Sequence, residues 1–206
     1  MTAANRTATA RSAHSPVPAI RLIVLTGFMG AGKTTVGRLL AERYGWQFAD
    51  ADAIIEADTG HSIAALFQMH GEAWFRELEH RTIRAFAESK SCIDTDAAPS
   101  LGWVLALGGG AIEDARTRRL LLETTGVCLI HLEVSLSEAI RRCTAEAETV
   151  RPVLANQDRL AQRYATRLAL YRQAPITFAV DDLAPEQIVQ NIIEALSLFP
   201  LDRSET

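Results

Sequence analysis

Short apolar runs alternate along the chain with longer segments in which apolar residues recur at helical spacing. The apolar runs predict strands at Leu22–Thr26, Gln47–Asp50, Val104–Leu107, Val127–Leu132 and Thr177–Val180. The helical segments predict helices near 33–44, 62–69, 72–89, 114–123, 136–144, 158–173 and 185–197. Because parallel strands need crossover connections that are usually helical, the alternation predicts an α/β fold with a parallel sheet between layers of helices.

The two ends of the chain depart from this pattern. Residues 1–18 are rich in Ala, Thr, Ser and Pro and contain no acidic residue, so we expect a disordered N-terminal tail. Organelle transit peptides share this composition and are the alternative for the segment. At 206 residues with 48% hydrophobic content, the chain fits one domain over 19–200 and a C-terminal tail over 201–206. Residues 91–102 predict a polar surface loop.

Charge and cysteine content exclude several classes of partner. A net charge of −4 without a polybasic run argues against nucleic acid. No stretch reaches 18 consecutive apolar residues, which argues against a membrane-spanning helix. The odd number and the spacing of the three cysteines, Cys92, Cys128 and Cys143, favour buried reduced thiols over disulfides or a metal site. We therefore expect a soluble, cytoplasmic protein.

Residues 27–34 form a complete phosphate-loop motif. They read Gly-Phe-Met-Gly-Ala-Gly-Lys-Thr and lie between a predicted strand and a predicted helix. In such loops, backbone N–H groups at the helix N-terminus bind phosphates, the lysine (here Lys33) reaches the β and γ oxygens, and the hydroxyl (here Thr34) binds Mg²⁺. An ordinary glycine turn is the alternative. The flanking strand and helix favour a site for a nucleoside triphosphate.

Asp50 and Asp52 stand at the carboxyl end of the second predicted strand. Ligands of doubly wound sheets bind outside this edge, so we expect both carboxylates beside the phosphate loop. Asp50 suits Mg²⁺ and its waters, whereas Asp52 could accept a hydrogen bond from a substrate hydroxyl. Alternatively, Asp52 only caps the segment Ala53–Asp58. The residues alone leave both interpretations open.

Two further segments carry candidate substrate-binding groups. Arg76, on a predicted amphipathic helix, could bind a carboxylate with its planar fork, held still by Glu79 at i+3. A solvated ion pair is the alternative that these residues alone favour. Gly108, Gly109 and Gly110 directly follow a predicted strand. Because three glycines remove every side chain from that strand end, a ligand-facing loop is favoured over a plain turn.

An arginine-bearing segment, Arg151-Pro-Val-Leu154, precedes a helix that contains Arg163 and Arg167. A mobile cover that carries an arginine suits phosphoryl transfer, since its closure excludes water and brings positive charge to the transferring group. A plain loop is an equal alternative for this segment.

Six motifs in register resemble the shikimate kinase family, over about Arg21 to Leu196. They are the phosphate loop, Asp50-Ala-Asp52, Gly71-Glu-Ala-Trp-Phe75-Arg76-Glu-Leu-Glu79, Gly108-Gly-Gly110, Arg151-Pro-Val-Leu and Arg167-Leu-Ala-Leu-Tyr171. The resemblance implies a P-loop NTPase fold, three-layer α/β/α with a five-stranded parallel sheet, a substrate-binding helical region and a lid at about 145–158. The implied reaction converts ATP and shikimate to ADP and shikimate 3-phosphate.

The resemblance also implies roles for individual residues. Catalytic roles fall to Lys33, Asp52 and Arg151. Nucleotide-binding roles fall to Gly30, Ala31, Gly32, Lys33, Thr34, Thr35, Arg142 and Arg151, with Arg142 against adenine. Thr34 and Asp50 would hold Mg²⁺, the latter through water. Substrate-binding roles fall to Asp52, Phe75, Arg76, Gly108, Gly109, Gly110 and Arg167, with the two arginines on the shikimate carboxylate.

A few positions depart from the family pattern. Ala169 stands where the family commonly has Pro, Val153 stands where it commonly has Leu, and the segment between Arg142 and Arg151 is slightly long. These departures bear on the lid rather than on a chemical group. Two alternatives to a shikimate kinase are a non-catalytic ligand-sensing module and a kinase of another small hydroxylated acid, such as gluconate. We expect a monomer that binds ATP and shikimate.

Overall fold

The computed structural model describes residues 20–91, 102–145 and 157–197. The strands are β1 (Leu22–Thr26), β2 (Gln47–Asp50), β3 (Trp103–Ala106), β4 (Val127–Glu133) and β5 (Ile176–Ala179). The helices are α1 (Lys33–Tyr44), α2 (Ala51–Thr59), α3 (Ile63–His70), α4 (Glu72–Ser91), α5 (Ala115–Glu123), α6 (Leu136–Ala145), α7 (Gln157–Tyr171) and α8 (Pro185–Leu196), with a 3₁₀ helix at Ala111–Glu113.

The strands form one parallel, five-stranded sheet in the order β2-β3-β1-β4-β5. Leu25 of β1 pairs with Ala106 of β3 and with Ile130 of β4, so β1 lies in the middle of the sheet. Every residue of β1 is buried, as expected for a strand covered by helices on both faces. Because all strands run in one direction, the segments that follow β1, β2 and β3 meet at the carboxyl edge of the sheet. The predicted α/β fold is confirmed.

A small apolar cluster lies apart from the main core, among helices α2, α3 and α4. It consists of the buried side chains Ile55, Leu66 and Phe75. Helix α4 also reaches the main core, where Ile83 is fully buried. Anchored at both places, α4 holds its first turns, which carry Phe75 and Arg76, in a fixed position.

The predicted strands and helices agree with the observed ones to within two residues at each end, but helix α2 was not predicted. This helix follows β2 without an intervening loop, so no turn signal separates it from the strand. Asp50 both ends β2 and caps α2, because its side chain accepts a hydrogen bond from Asp52 N at 3.1 Å. The interpretation of Asp52 as a helix cap is therefore wrong.

Several predicted features lie outside the described residues. They are the tails at 1–18 and 201–206, Cys92 with most of the 91–102 loop, and most of the lid together with Arg151. Within the described ranges, Cys128 and Cys143 are buried thiols, as predicted, and neither is in a disulfide. No helix in these ranges has both the length and the apolar character needed to cross a bilayer.

Replacement of Asp114 by alanine is expected to destabilise the protein. Asp114 is the N-cap of α5, and its side chain accepts hydrogen bonds from Arg116 N at 2.7 Å and Thr117 N at 3.4 Å. Loss of such a cap costs about 1 kcal/mol. Urea denaturation at neutral pH measures this cost. The matched control is Asp114→Asn, which keeps an accepting oxygen at the cap and should lose clearly less stability.

The cost of Asp114→Ala should also depend on pH. Hydrogen bonds from the Arg116 side chain lower the pKa of Asp114 to about 2, below its ordinary value of 3.8. Since the folded-state pKa lies below the unfolded value, the stabilisation is present above the unfolded pKa and is lost as the pH falls through the folded one. The stability difference from wild type should therefore shrink as the pH is lowered from about 4 toward 2. A difference that grows on acidification would contradict this account.

Candidate functional site

The loop between β1 and α1 curls around the N-terminus of α1. Gly30 and Gly32 have φ angles of 72° and 83°, a left-handed conformation that residues with a Cβ rarely adopt. Gly32 caps α1 without a side-chain hydrogen bond, and the first turn of the helix contains no acidic residue. The positive end of the helix dipole is therefore left to attract an anion, which is the chemistry of a phosphate site.

Lys33 folds back over this loop. Its Nζ donates hydrogen bonds to the carbonyl oxygens of Gly27 at 2.8 Å and Phe28 at 3.1 Å. Burial lowers the pKa of Lys33 to about 8, although Asp52 and Asp50 oppose the shift. Because its hydrogen-bond partners here are neutral carbonyls, a phosphate oxygen would be a stronger acceptor for this ammonium group.

Thr34 and Asp50 place two oxygen atoms side by side at the mouth of the loop. Thr34 Oγ1 donates to Asp50 Oδ2 at 2.9 Å. Hydroxyl and carboxylate oxygens suit Mg²⁺, which is usually bound by one or two protein groups together with phosphates and waters. Within 20–91, 102–145 and 157–197, no group of three or more His, Cys, Asp or Glu could hold a metal by itself. Mg²⁺ at this pair would therefore need phosphate and water as further ligands.

Asp52 lies in the first turn of α2 and packs against Gly108. A Cβ added to Gly108 would lie 2.6 Å from Asp52 Oδ1 and 2.9 Å from Glu79 Oε1, so the glycine is what lets these carboxylates approach the strand end. Burial raises the pKa of Asp52; the nearby Asp50 adds to the shift and Lys33 opposes it. A carboxylate of raised basicity beside a phosphate site is suited to accept a hydroxyl proton.

Arg76 is held by an acidic residue and by two aromatic rings. Its Nη1 donates to Glu79 Oε2 at 2.6 Å, and its guanidinium lies 5.8 Å and 5.6 Å from the ring centroids of Phe67 and Phe75. The side-chain exposures are 17% for Arg76 and 3% for Glu79. The alternative of a solvated surface pair is therefore wrong, and the predicted i+3 contact with Glu79 is confirmed. Burial raises the pKa of Glu79 to about 7, although Arg76 opposes the shift.

Arg167, on α7, meets Arg76 at a single carboxylate. Arg167 Nε and Nη2 donate to the two oxygens of Glu113 at 2.9 Å and 3.3 Å. Arg76 Nη2 donates to Oε2 of the same group at 3.4 Å. Arg76 and Arg167, 91 positions apart in the chain (167 − 76), thus converge on one carboxylate oxygen. Two arginines directed at one point form a site for a carboxylate.

Sequence reasoning missed Glu113. Burial acts to raise its pKa, but the hydrogen bond and charge of Arg167 outweigh burial and lower it, so the group is anionic at neutral pH. The signal that could have found it is its place three residues after Gly110, directly beyond the predicted ligand-facing loop. Its partners are 37 and 54 positions away in the chain, which no local pattern reveals.

Tyr171 fixes the glycine loop from the other side. Its hydroxyl donates to the Gly109 carbonyl oxygen at 2.5 Å, and its side chain is buried. Tyr171 lies one helical turn after Arg167 on α7. The two residues therefore present a hydroxyl and a guanidinium to the same loop.

Arg142, on α6, ties the phosphate loop to the end of β5. It donates to the carbonyl oxygens of Gly30 at 3.2 Å, Val180 at 2.6 Å and Asp181 at 2.9 Å. The Arg142 Nε donates to Glu138 Oε1 at 2.6 Å. The flat guanidinium therefore has a fixed place beside the phosphate loop.

A cleft of about 870 Å³ follows the carboxyl edge of the sheet. The predicted site residues that line it are Gly30, Ala31, Gly32, Lys33, Thr34, Thr35, Asp50, Asp52, Gly108, Gly109, Arg142 and Arg167. Arg76 and Gly110 pack against each other next to these lining residues. Phe75 is 2% exposed and supports Arg76, so the structure does not bring its side chain to the cleft. Arg151 lies outside the described residues.

The glycine loop yields a matched pair of variants. A Cβ at Gly110 would lie 2.6 Å from Arg76 Cζ, whereas a Cβ at Gly109 would have Arg167 Nη1 as its nearest neighbour, at 3.7 Å. Gly110→Ala therefore requires the Arg76 guanidinium to shift, which should weaken its bond to the buried Glu79 and cost about 1–3 kcal/mol. Gly109→Ala should change the stability by less than about 0.5 kcal/mol. Urea denaturation of the two variants measures the difference, and equal stabilities would contradict the packing of Arg76 against Gly110.

Comparison with known proteins identifies the family of this chain. A model of the shikimate kinase family matches residues 29–197. The shikimate kinase of Streptomyces coelicolor is 41% identical over 181 residues, which cover 86% of this chain and 96% of that protein.

Two solved structures agree with the sequence relatives. The shikimate kinase from Bacteroides thetaiotaomicron is 31% identical with a TM-score of 0.73, covering 85% of this chain and 98% of its own. The shikimate kinase from Acinetobacter baumannii, solved in complex with shikimate, is 31% identical with a TM-score of 0.71, covering 87% of this chain and 94% of its own. The match therefore includes nearly the whole of these relatives and most of this chain. This chain belongs to the shikimate kinase family.

Proposed function

We propose that this protein transfers the γ-phosphoryl group of ATP to the 3-hydroxyl of shikimate, giving ADP and shikimate 3-phosphate, in aromatic amino-acid biosynthesis through chorismate. Family membership supports this activity, and a relative was solved with shikimate. Within the chain itself, one observation carries the proposal. Arg76 and Arg167 converge on a single carboxylate oxygen at the sheet edge that also carries the phosphate loop.

ATP occupies the end of the cleft formed by the phosphate loop. Its phosphates lie against the N-terminus of α1, where Lys33 exchanges its two carbonyl partners for β and γ oxygens. The adenine lies beside Arg142, farther along the cleft than the phosphates. The other residues that line the cleft there are Asp181, Leu183 and Pro185. The fixed guanidinium plane of Arg142 gives the adenine ring a surface to stack on.

Thr34 would hold Mg²⁺ directly, and Asp50 would hold it through water. The support is the donor set: a hydroxyl oxygen and a carboxylate oxygen 2.9 Å apart beside the phosphate loop. Bound there with the nucleotide, the ion would supply positive charge to neutralise the phosphates. Asp50 also caps α2, so the residue that faces the ion fixes the start of the helix that carries Asp52.

Shikimate occupies the other end of the cleft, beneath the glycine loop. Its carboxylate binds the Arg76 and Arg167 forks, and its ring lies against the bare backbone of Gly108, Gly109 and Gly110. Phe75 acts from below by supporting Arg76. A small acid with several hydroxyls matches this set, because charged forks, backbone groups and a carboxylate are each placed for one of its polar groups.

Asp52 receives the hydrogen bond of the attacking hydroxyl. Its raised pKa makes it a better proton acceptor than an ordinary aspartate, and its place between the phosphate loop and the glycine loop suits the reacting oxygen. The same contact would orient the hydroxyl for in-line attack.

The remaining parts of the proposal rest on family resemblance. Arg151 belongs to a lid at about 145–158 that closes over the phosphates and excludes water. The protein acts as a cytoplasmic monomer, with one catalytic domain over 19–200 between the two tails.

An ADP-release assay with an acceptor panel tests the proposed activity. ATP and Mg²⁺ are supplied with shikimate, quinate, gluconate or no acceptor. Only shikimate should give turnover well above the acceptor-free rate, and Lys33→Ala should reduce kcat at least about 100-fold. A preference for gluconate would indicate a kinase of another acid. Nucleotide binding without acceptor-dependent turnover would indicate a sensing module.

Asp52→Asn is expected to reduce kcat about 100-fold or more while changing the ATP KM less than about threefold. Asparagine keeps the shape of the side chain but cannot take a proton. In the wild type, kcat/KM for shikimate should fall as the pH drops through the raised pKa of Asp52, because the protonated form no longer accepts the hydroxyl proton.

The control for Asp52→Asn is Asp58→Asn, an exposed residue on the same helix, which should retain wild-type kinetics. Initial rates at varied ATP and varied shikimate separate the two effects. A collapse of ATP affinity in Asp52→Asn with normal shikimate kinetics would contradict the placement of Asp52 on the acceptor side.

A further inference from the structure

The arginine pair of the acceptor site already holds a carboxylate that belongs to the chain. We propose that Glu113 is a specificity-determining residue: it occupies the Arg76–Arg167 pair between turnovers and must be displaced by the carboxylate of the acceptor. The inference rests on the proposed function, since it assumes that this pair receives the acceptor. It concerns a residue that takes no part in the transfer itself.

The hydrogen bonds of Glu113 are those that a bound carboxylate would make. Both of its oxygens are paired by Nε and Nη2 of Arg167, at 2.9 Å and 3.3 Å, and Oε2 also receives Arg76 Nη2 at 3.4 Å. Nε and Nη2 form the side of a guanidinium that pairs bidentately with a carboxylate. An incoming acid and Glu113 therefore compete for the same donors.

Exposure distinguishes Glu113 from Glu79, the buried partner of Arg76. The Glu79 side chain is 3% exposed and fixed beneath the loop, whereas the Glu113 side chain is 32% exposed. Glu113 is also the last residue of its short 3₁₀ helix. Its carboxylate can therefore turn into solvent and regain hydration when it leaves, whereas Glu79 has no such route.

Charge makes the displacement selective. Glu113 already pairs with both arginines. A simple anion must therefore compete with a carboxylate that is tethered beside them at high local concentration. An acid that also has hydroxyls for Asp52 and the glycine loop brings further contacts and can displace the tethered group. Glu113 thus weakens the binding of simple anions more than it weakens the binding of the correct acceptor.

Glu113→Gln is the direct test, because glutamine keeps the length of the side chain and removes its charge. The dissociation constant and KM for shikimate should fall about fivefold to tenfold, where tenfold corresponds to about 1.4 kcal/mol. The KM for ATP should change less than about twofold, since the Glu113 side chain bonds to the acceptor-site arginines Arg76 and Arg167. Inhibition by benzoate, an inert carboxylate, should also appear at concentrations at least about tenfold lower than for wild type.

Glu72→Gln is the matched control. Glu72 also accepts from Arg76 Nη2, at 3.2 Å, but its side chain is 66% exposed. Glu113, by contrast, pairs with both arginines. Removal of the Glu72 charge should change the shikimate and benzoate constants less than about twofold. Equal effects of Glu72→Gln and Glu113→Gln would overturn the proposal, because general loss of negative charge would then explain both.

Other outcomes overturn the proposal in distinguishable ways. A shikimate KM that is unchanged or raised in Glu113→Gln, with unaltered thermal unfolding, would mean that Glu113 orients the arginines instead of competing with the acid. If glutamine impairs folding, Glu113→Asp, too short to bridge both arginines, must still tighten benzoate binding in calorimetry. Benzoate binding needs no turnover, so this arm tests Glu113 even if the acceptor panel shows that the proposed activity is wrong.

Discussion

The guanidinium groups of Arg76 and Arg167 lie at the carboxyl edge of the sheet with side-chain exposures of only 17% and 9%. Charges withdrawn from water this far are costly unless opposite charges and hydrogen bonds compensate them. Glu79 and Glu113 supply that compensation at 2.6 Å and 2.9 Å. Much of the local structure follows from this constraint. The glycine loop has no side chains because Arg76, Asp52 and Glu79 pack against its backbone.

The order of the strands brings the two halves of the site together. Strand β1 lies between β3 and β4, so the phosphate loop that follows β1 is next to the glycine loop that follows β3. Asp50 ends β2 and accepts a hydrogen bond from Thr34 at the start of α1. Lys33, whose pKa burial lowers to about 8, is close enough to Asp52 and Asp50 for their charges to oppose that shift. A phosphate donor and a carboxylate acceptor would meet in this place with their charges compensated on opposite sides.

Sequence patterns predicted the sheet and the contacts that lie close together along the chain. Apolar runs located β1, β3 and β4 because buried parallel strands consist largely of apolar residues. Helical spacing identified the Arg76–Glu79 pair. Helix α2 was missed because Asp50 serves as both strand end and helix cap, which leaves no turn to signal the change. Glu113 was missed because its partners come from two distant helices. Phe75 belongs to the right motif, but only packing shows that it supports Arg76 from below.

A crystal structure of the protein with Mg²⁺, shikimate and a non-hydrolysable ATP analogue tests the central claim most directly, namely that the converging arginines bind the carboxylate of the acceptor. The account predicts that the shikimate carboxylate lies between Arg76 and Arg167, with a ring hydroxyl on Asp52 and with Glu113 turned away into solvent. Shikimate bound elsewhere in the cleft, with Glu113 still paired to both arginines, would contradict it.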